Sequence, residues 1–144
     1  MAALSADKKS EYKEGVEASQ PVDDGDIIYA GALAAYNAGG YLVPGSDTAA
    51  LVFAGVSLDY ANNSAGADGA VSARVRRKGV YKMAFSGSIS QANVGNKVFL
   101  VDDQTVGLAA TTTNDIFCGV IVEYIDSTYA YVDIEPAVNL GRNA

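Results

Sequence analysis

The apolar residues of this chain fall into short segments, and residues that favour turns separate these segments at regular intervals. Ile27–Tyr36, Leu51–Tyr60 and Lys97–Val101 are five to ten residues long, and clusters such as Asn37-Ala38-Gly39-Gly40 stand between such segments. Segments of this length with Gly, Asn and Asp between them are typical of strands joined by tight turns. The pattern therefore predicts an all-β fold, a small antiparallel β-barrel or sandwich.

The two ends of the chain differ from this central part. From Asp7 to Glu17, seven of eleven residues are charged, and too few positions are apolar to bury one face of a helix. We interpret residues 1–20 as an extended N-terminal arm that packs on a partner, with Tyr12 and Lys13 as candidate contact residues. Residues 21–136 form the predicted β domain, and residues 137–144 form a C-terminal tail.

The second half of the domain contains the clearest alternation. Ile116–Tyr124 and Thr128–Ile134 are predicted to pair as a final hairpin across Asp126-Ser127. Because side chains alternate between the two faces of a strand, one set of positions should be buried. The core candidates chosen in this way are Val98, Leu100, Ile116, Cys118, Val120, Val122, Tyr131 and Ile134.

A basic segment, Ala70–Ser86, contrasts with the acidic charge of the whole chain. It holds five of the ten Lys and Arg residues, although the formal net charge is −7. Its alternation predicts two strands, and Arg77-Lys78-Gly79 is interpreted as the hairpin turn between them. A basic ribbon is either a solvated edge that discourages aggregation or a surface that docks on an acidic partner. The candidate contact residues are Arg74, Arg76, Arg77, Lys78 and Lys82.

Residue types that carry chemistry are scarce. The chain has no His, which removes the commonest general base and the commonest metal ligand. The single cysteine, Cys118, is predicted to be a buried reduced thiol. Asp102-Asp103 and Asp23-Asp24-Gly25-Asp26 are interpreted as turns, and the second lacks the remaining ligands of an EF-hand loop. We therefore expect no catalytic residues, no metal and no cofactor.

Charge and hydropathy also exclude several classes of partner. A net charge of −7 is unlike the basic field of a nucleic-acid-binding domain. No run of eighteen apolar residues predicts a membrane span, and the first residues lack the hydrophobic region of a secretory signal. We therefore expect neither nucleic acid nor membrane as a partner.

Four segments, taken in order, resemble a known family. They are LSADKKSEYKEG, IYAGALAAYNAGGYLVPGSDTAALVFAGVS, AVSARVRRKGVYKMAFS and SQANVGNKVFLVDDQTV. In this order they are similar to the small capsid decoration, or cement, proteins of tailed bacteriophages, which are encoded beside the prohead protease and the major capsid protein. The resemblance covers nearly the whole chain, but the tail after Pro136 is not part of it.

The resemblance implies a structural virion protein and not an enzyme. Such proteins bind the outer surface of the expanded head and cement neighbouring capsomers of the major capsid protein against internal pressure. They commonly do so as homotrimers at local threefold positions, where several modest contacts add up to high avidity. The implied location is the outer surface of the virion, after synthesis in the bacterial cytoplasm.

Two other classes remain as alternatives. Nine tyrosines could provide a stacking surface for a carbohydrate- or host-surface-binding β module, whose sign would be exposed Tyr in one groove beside Asn and Asp. An enzyme of unknown type would instead show a deep pocket with convergent polar groups.

The strands Ile27–Tyr36 and Leu51–Val56 carry few charges, so they are either subunit contacts or interior strands.

Overall fold

A computed structural model describes residues 2–142 and shows an all-β fold, as predicted. It contains one short helix, α1 (Glu135–Leu140), and two single 3₁₀ turns at Gln91–Asn93 and Ala109–Thr111. The strands are β1 (Glu17–Pro21), β2 (Ile27–Ile28), β3 (Leu33–Tyr36), β4 (Leu42–Pro44), β5 (Val52–Ser57), β6 (Ala61–Asn62), β7 (Ser72–Arg76), β8 (Val80–Phe85), β9 (Lys97–Leu100), β10 (Thr105–Gly107), β11 (Phe117–Tyr124) and β12 (Tyr129–Asp133).

The strands form two bodies that follow one another along the chain. The first is an antiparallel sheet with the order β1-β7-β5-β3-β4, accompanied by the two-stranded ribbon β2–β6. The second is a closed barrel with the order β10-β8-β12-β11-β9. Its pairs are antiparallel except for β8 with β10, which run parallel. Closure leaves the barrel without a free edge, whereas the sheet ends at β1 and β4.

Two apolar clusters cover the two faces of the sheet. On one face, Phe53 and Val56 pack with barrel residues such as Leu100 and Val132. On the other face, Ala54 packs with Ile28 of the ribbon, together with Leu42 and Val75. Because β5 is covered on both sides, it is an interior strand, and so is β3. This arrangement favours the interpretation of these apolar strands as interior strands over their interpretation as subunit contacts.

The predicted strand Ile27–Tyr36 is wrong as a single element. Gly31 has a φ of 86°, and the backbone N–H of Ala32 donates to the carbonyl of Tyr29 at 3.1 Å. This turn divides the segment, so β2 joins the ribbon and β3 enters the sheet. The sequence hides this turn because Gly31 is the only residue in the segment that favours a turn, and apolar residues continue on both sides of it.

The predicted basic hairpin is also wrong, although both of its strands exist. β7 pairs with β1 and β5 in the sheet, and β8 pairs with β10 and β12 in the barrel. The segment 77–79 is therefore the crossing from one body to the other, made possible by Gly79 with a φ of 127°. Residues that favour tight turns show where the chain changes direction, but they do not show that the strands on either side of the turn pair with each other.

Five of the eight core candidates from the second half are confirmed as buried: Val98, Leu100, Ile116, Cys118 and Ile134. Val122 and Tyr131 are exposed, and Val120 is only half-buried. The reason on β11 is a shift of register between Phe117 and Gly119, after which Ile121 is buried instead of Val120. On β12 the buried positions are Ala130 and Val132. Tyr131 lies between them and points to the opposite face, so its predicted burial is wrong.

The two ends are more integrated than the division of the sequence suggests. Glu17–Pro21 is the edge strand β1, so the part of the arm outside the sheet ends near Val16. At the other end, Ala137 of α1 is buried in the main core. Met1 of the predicted arm, and Asn143 and Ala144 of the predicted tail, lie outside the described residues.

Candidate interaction surface

The side chain of Arg74 points outward from β7 and is held by two carboxylates. Its Nε and Nη2 donate to the two carboxylate oxygens of Asp59 at 3.0 and 2.8 Å, and its backbone N–H donates to the same group at 2.9 Å. Glu17 lies 3.6 Å from Nη1. This bidentate arrangement ties β7 to its neighbours, so much of the Arg74 charge is already compensated within the chain.

Arg77 and Lys78 also make contacts within the chain. Arg77 is half-buried, and its Nη1 donates to the carbonyl of Gly15 at 3.0 Å, which fixes the place where the arm meets the sheet. Lys78 lies 3.8 Å from the carboxylate of Glu135, at the start of α1. Arg77 thus contacts the end of the arm, and Lys78 contacts the helix near the C-terminal end, so these two residues of the predicted turn connect both ends of the chain to the crossing segment.

Arg76 and Lys82 are the members of the basic set that form no salt bridge with any residue between 2 and 142. Arg76 projects from the exposed face of β7, whereas Lys82 lies on the barrel, with its Nζ 4.6 Å from the centre of the Tyr129 ring. The structure thus spreads the five predicted contact residues over the sheet, the crossing segment and the barrel. It does not bring them together as one ribbon.

The arm residues Tyr12 and Lys13 lie in an exposed segment without regular secondary structure. The side chain of Tyr12 is 81% exposed. Lys13 lines an open groove beside β1, together with Gln20, Tyr36 and Arg77. Gln20 donates to the Tyr36 hydroxyl at 2.7 Å on the floor of this groove.

Sequence reasoning missed a cluster of carboxylates, which forms where the loop with Asp23 and Asp24 meets the loop with Asp68. The carboxylates of Asp23, Asp24 and Asp68 lie within 4.8 Å of one another. The pKa of Asp23 is raised above its ordinary value, first by partial burial and then by Asp68, and the pKa of Asp26 is raised mainly by burial. The only signal for this meeting was turn-forming composition in both loops, which does not indicate that the loops are neighbours.

Asn63 holds the two loops together. It is buried, and its Nδ2 donates to the carbonyls of Val22, Asp23 and Ala67 at 3.1, 3.0 and 2.9 Å. Its Oδ1 has no hydrogen-bond donor among residues 2–142, and it lies against Gly66, where an added Cβ would overlap it. The buried oxygen therefore faces Gly66, and the geometry gives it no ligand role.

Tyr29 and Tyr60 form an exposed aromatic pair at the end of the ribbon. Each ring is 57% exposed, and the ring centres are 5.6 Å apart with an angle of 49° between the planes. Tyr29 also lines an open groove with Asp103 and Gln104. No side-chain hydrogen bond of Asp103 or Gln104 to another residue between 2 and 142 is present.

The single cysteine of the chain is buried. The thiol of Cys118 is in the barrel core and donates to the carbonyl of Val98 at 3.5 Å, and burial raises its pKa. A thiol with a raised pKa carries little thiolate, which is the reactive form. The predicted burial of this residue is confirmed.

No protein-family model, characterised protein or solved structure matches this chain. Between residues 2 and 142, no helix has the length and apolar character that a membrane span requires. What the chain does must therefore be inferred from its own residues.

Replacing Asp59 with asparagine is expected to lower the urea midpoint modestly at neutral pH. The hydrogen bonds from Arg74 lower the pKa of Asp59 from 3.8 to about 2. A carboxyl group whose pKa is lower in the folded state stabilises the fold above its unfolded pKa, and that contribution is lost as the pH falls through the folded pKa. The difference between wild type and variant should therefore be complete above about pH 5, should shrink as the pH falls, and should disappear only below about pH 2.

Asp23→Asn is the matched control, because the pKa of Asp23 is shifted in the opposite direction. Ionisation of Asp23 disfavours the fold above its raised pKa, so this variant should show an unchanged or higher urea midpoint at neutral pH. If both variants lost the same stability at every pH, the assigned role of the Arg74–Asp59 pair would be wrong.

Proposed function

We propose that this chain is a structural, non-enzymatic protein that binds the outer surface of a tailed-bacteriophage head. In this role it contacts the major capsid protein and cements neighbouring capsomers. The proposal joins the ordered sequence resemblance to one structural observation, which is the exposed arm of residues 2–15 attached to an otherwise well-packed all-β protein.

The arm supports this proposal because it makes so few contacts with its own chain. Residues 2–15 are all exposed, and they include the large apolar side chains of Leu4 and Tyr12. Beyond them the chain passes directly into β1, the edge strand of the sheet, and Arg77 anchors the junction at Gly15. An extended segment of this kind becomes ordered on a partner, which must repay about 1–2 kcal/mol of backbone entropy per residue.

Arg76, which forms no salt bridge with the described residues 2–142, lies beside this junction on the strand that pairs with β1. A carboxylate on the partner would find a guanidinium there that is not already paired. Arg74 serves the fold through Asp59, so reversal of its charge would damage the protein as well as the contact. The informative charge reversal is therefore Arg76→Glu alone.

Assembly on the head as a homotrimer belongs to the same proposal. Neighbouring capsomers of such a shell meet at local threefold points, where a symmetric cluster engages three equivalent surfaces. Each arm then contributes a modest contact, and three linked contacts raise the apparent affinity far above that of one.

Cosedimentation with heads tests the proposal. Expanded heads of the encoding phage, free of decoration protein, are mixed with wild type and with a variant lacking residues 2–13. The deletion keeps Gly15 and β1, so its thermal midpoint should match that of wild type, whereas its head binding should fall at least about tenfold. Arg76→Glu should weaken binding less, and added salt should weaken wild-type binding.

The matched control is Tyr60→Ala, which removes an exposed aromatic ring far along the chain from the arm. It should leave head binding unchanged. If wild type did not bind expanded heads, the proposal would fail. If the deletion bound as well as wild type, the arm would not be the contact element.

A carbohydrate-binding β module is the second candidate, and the Tyr29–Tyr60 pair is the observation that favours it. An exposed aromatic face beside a free carboxylate and carboxamide can stack on a sugar ring and bind its hydroxyl groups. The same Tyr60→Ala variant separates the two functions. Loss of binding to an immobilised panel of bacterial surface oligosaccharides, with head binding retained, would assign this groove to sugar.

A further inference from the structure

The outer face of the barrel exposes apolar side chains on three neighbouring strands. Val80 of β8, Tyr129 and Tyr131 of β12, and Val122 of β11 are between 36% and 52% exposed. β12 lies between the other two strands, so these side chains belong to one continuous part of the surface. Clustered exposed apolar residues of this kind mark interaction sites more often than scattered ones do.

Two opposite charges flank the centre of this face. The register places Tyr131 opposite Lys82 on one side and opposite Glu123 on the other, so the three residues form one row across β8, β12 and β11. Neighbouring strands are about 4.8 Å apart, which separates the lysine from the glutamate by roughly 10 Å along the row. Neither residue forms a salt bridge with another residue in the range 2–142.

We propose that this face is a twofold contact between two copies of this chain. In this contact, the two faces meet across a twofold axis that runs parallel to β12. Rotation about this axis places the row of one copy against the row of the other in reversed order. Lys82 of each copy then lies opposite Glu123 of the other, and the two Tyr131 side chains meet at the centre. The contact is isologous, so it closes with two copies and needs no second type of surface.

The row itself favours a second copy as the occupant. Because its charges are opposite in sign and equally spaced about Tyr131, the row is complementary to itself. A uniformly acidic or basic partner would leave one of the two charges opposed by a like charge. The central tyrosine provides a large ring, and tyrosine is enriched at the core of protein interfaces.

This twofold contact goes beyond the proposed binding to heads, and it does not depend on that binding. The arm leads into the sheet and Arg76 lies in it, whereas the row belongs to the barrel. A twofold contact can therefore join two free chains, or two clusters that are already bound through their arms.

Sedimentation equilibrium of the full chain in solution, without heads, tests the proposal. Wild type should show a reversible monomer–dimer equilibrium. Lys82→Glu and Glu123→Lys each replace two attractions with two repulsions in the dimer, so each should weaken dimerisation at least about tenfold. Circular dichroism and the thermal midpoint check that each variant is folded.

Mixing the two single variants gives the sharpest result. A chain with Lys82→Glu carries two acidic residues in its row, and a chain with Glu123→Lys carries two basic residues. Together they recreate both opposite-charge pairs, so the mixture should form heterodimers at least as tightly as wild type forms homodimers. The double variant in one chain, which exchanges the charges, should likewise recover dimerisation.

Lys97→Glu is the matched control, because Lys97 is also an exposed barrel lysine above an aromatic ring, here that of Phe117 at 5.6 Å, and it lies outside the row. It should leave the equilibrium unchanged. A wild type that stays monomeric, or that forms only trimers, would overturn the twofold contact, as would a mixture that fails to associate. None of these results depends on whether the chain binds heads.

Discussion

Asn63→Asp is expected to cause one of the largest losses of stability among single substitutions in this protein. The amide nitrogen of Asn63 is the donor for three carbonyls, those of Val22, Asp23 and Ala67. An aspartate would present an oxygen to these acceptors and would bury a negative charge next to the Asp23 loop. The three carbonyls keep backbone donors, the N–H groups of Gly69, Asp26 and Ala70, so the loss comes mainly from the buried carboxylate, which faces acceptors and has no donor. An unpaired buried charge costs several kcal/mol, so a loss of at least about 3 kcal/mol is expected.

Urea denaturation at two pH values measures this loss. When the introduced carboxyl group is protonated, it can donate one hydrogen bond, and the fold binds that proton more tightly than the unfolded chain does. The defect should therefore be smaller near about pH 4 than at neutral pH. Asn62→Asp is the matched control. Asn62 is exposed, and its Oδ1 accepts a hydrogen bond from the backbone of Ser64 at 2.9 Å, which a carboxylate accepts equally well. Equal losses for the two variants would contradict the role assigned to Asn63.

Gly55→Ala is expected to cause a loss of similar size for a different reason. Gly55 lies in the middle of β5 at a bulge, where Ala34 pairs with Gly55 but Ala35 pairs with Phe53. Its φ of 137° is unfavourable for any residue with a Cβ, and an added Cβ would overlap the backbone carbonyl oxygen of Arg76. Strain and overpacking each cost about 1–3 kcal/mol, and the contact is with backbone that is paired on both sides, so the total should be about 3 kcal/mol or more.

Gly40→Ala separates the two causes of that loss. Gly40 also has a positive φ, 84°, but an added Cβ there would meet nothing within 4 Å. This control should cost only the strain of the left-handed conformation, about 1 kcal/mol. Thermal and urea midpoints of the two variants should therefore differ clearly. If Gly55→Ala were as mild as Gly40→Ala, the strand must shift to make room, and the close approach of β5 to Arg76 would not constrain the fold.

Local alternation predicted the class of fold because it depends only on neighbouring residues. Ala73 and Val75 are buried and Arg74 and Arg76 are exposed, as the period of two requires. The same rule failed beyond Cys118, because a shift of register changes which face each later residue occupies. Gly119, which lies at the shift, is the one local signal for it, because an isolated glycine in a strand pattern often marks a bulge; the other residues of Phe117–Val122 all suit a regular strand.

The interaction surface was less predictable than the fold, because it depends on which strands pair. The basic segment was expected to form one ribbon, but β7 and β8 belong to different bodies, and Arg74 is paired with Asp59, fifteen residues earlier. In the row, Lys82 lies beside Tyr131 and Glu123, which follow it by more than forty positions. Such proximity is set by strand pairing over long distances along the chain, which a single sequence does not specify.

The order of the two bodies along the chain also has a consequence for synthesis. Every strand of the sheet and the ribbon comes from residues 17–76, and every strand of the barrel comes from residues 80–133. A ribosome therefore releases the complete sheet before the last barrel strand has been made. Until the barrel arrives, the face of the sheet with Phe53 and Val56 has no cover. The barrel therefore covers the sheet late in synthesis. A chain that stalls before β12 exposes an apolar surface through which it can aggregate with neighbouring chains.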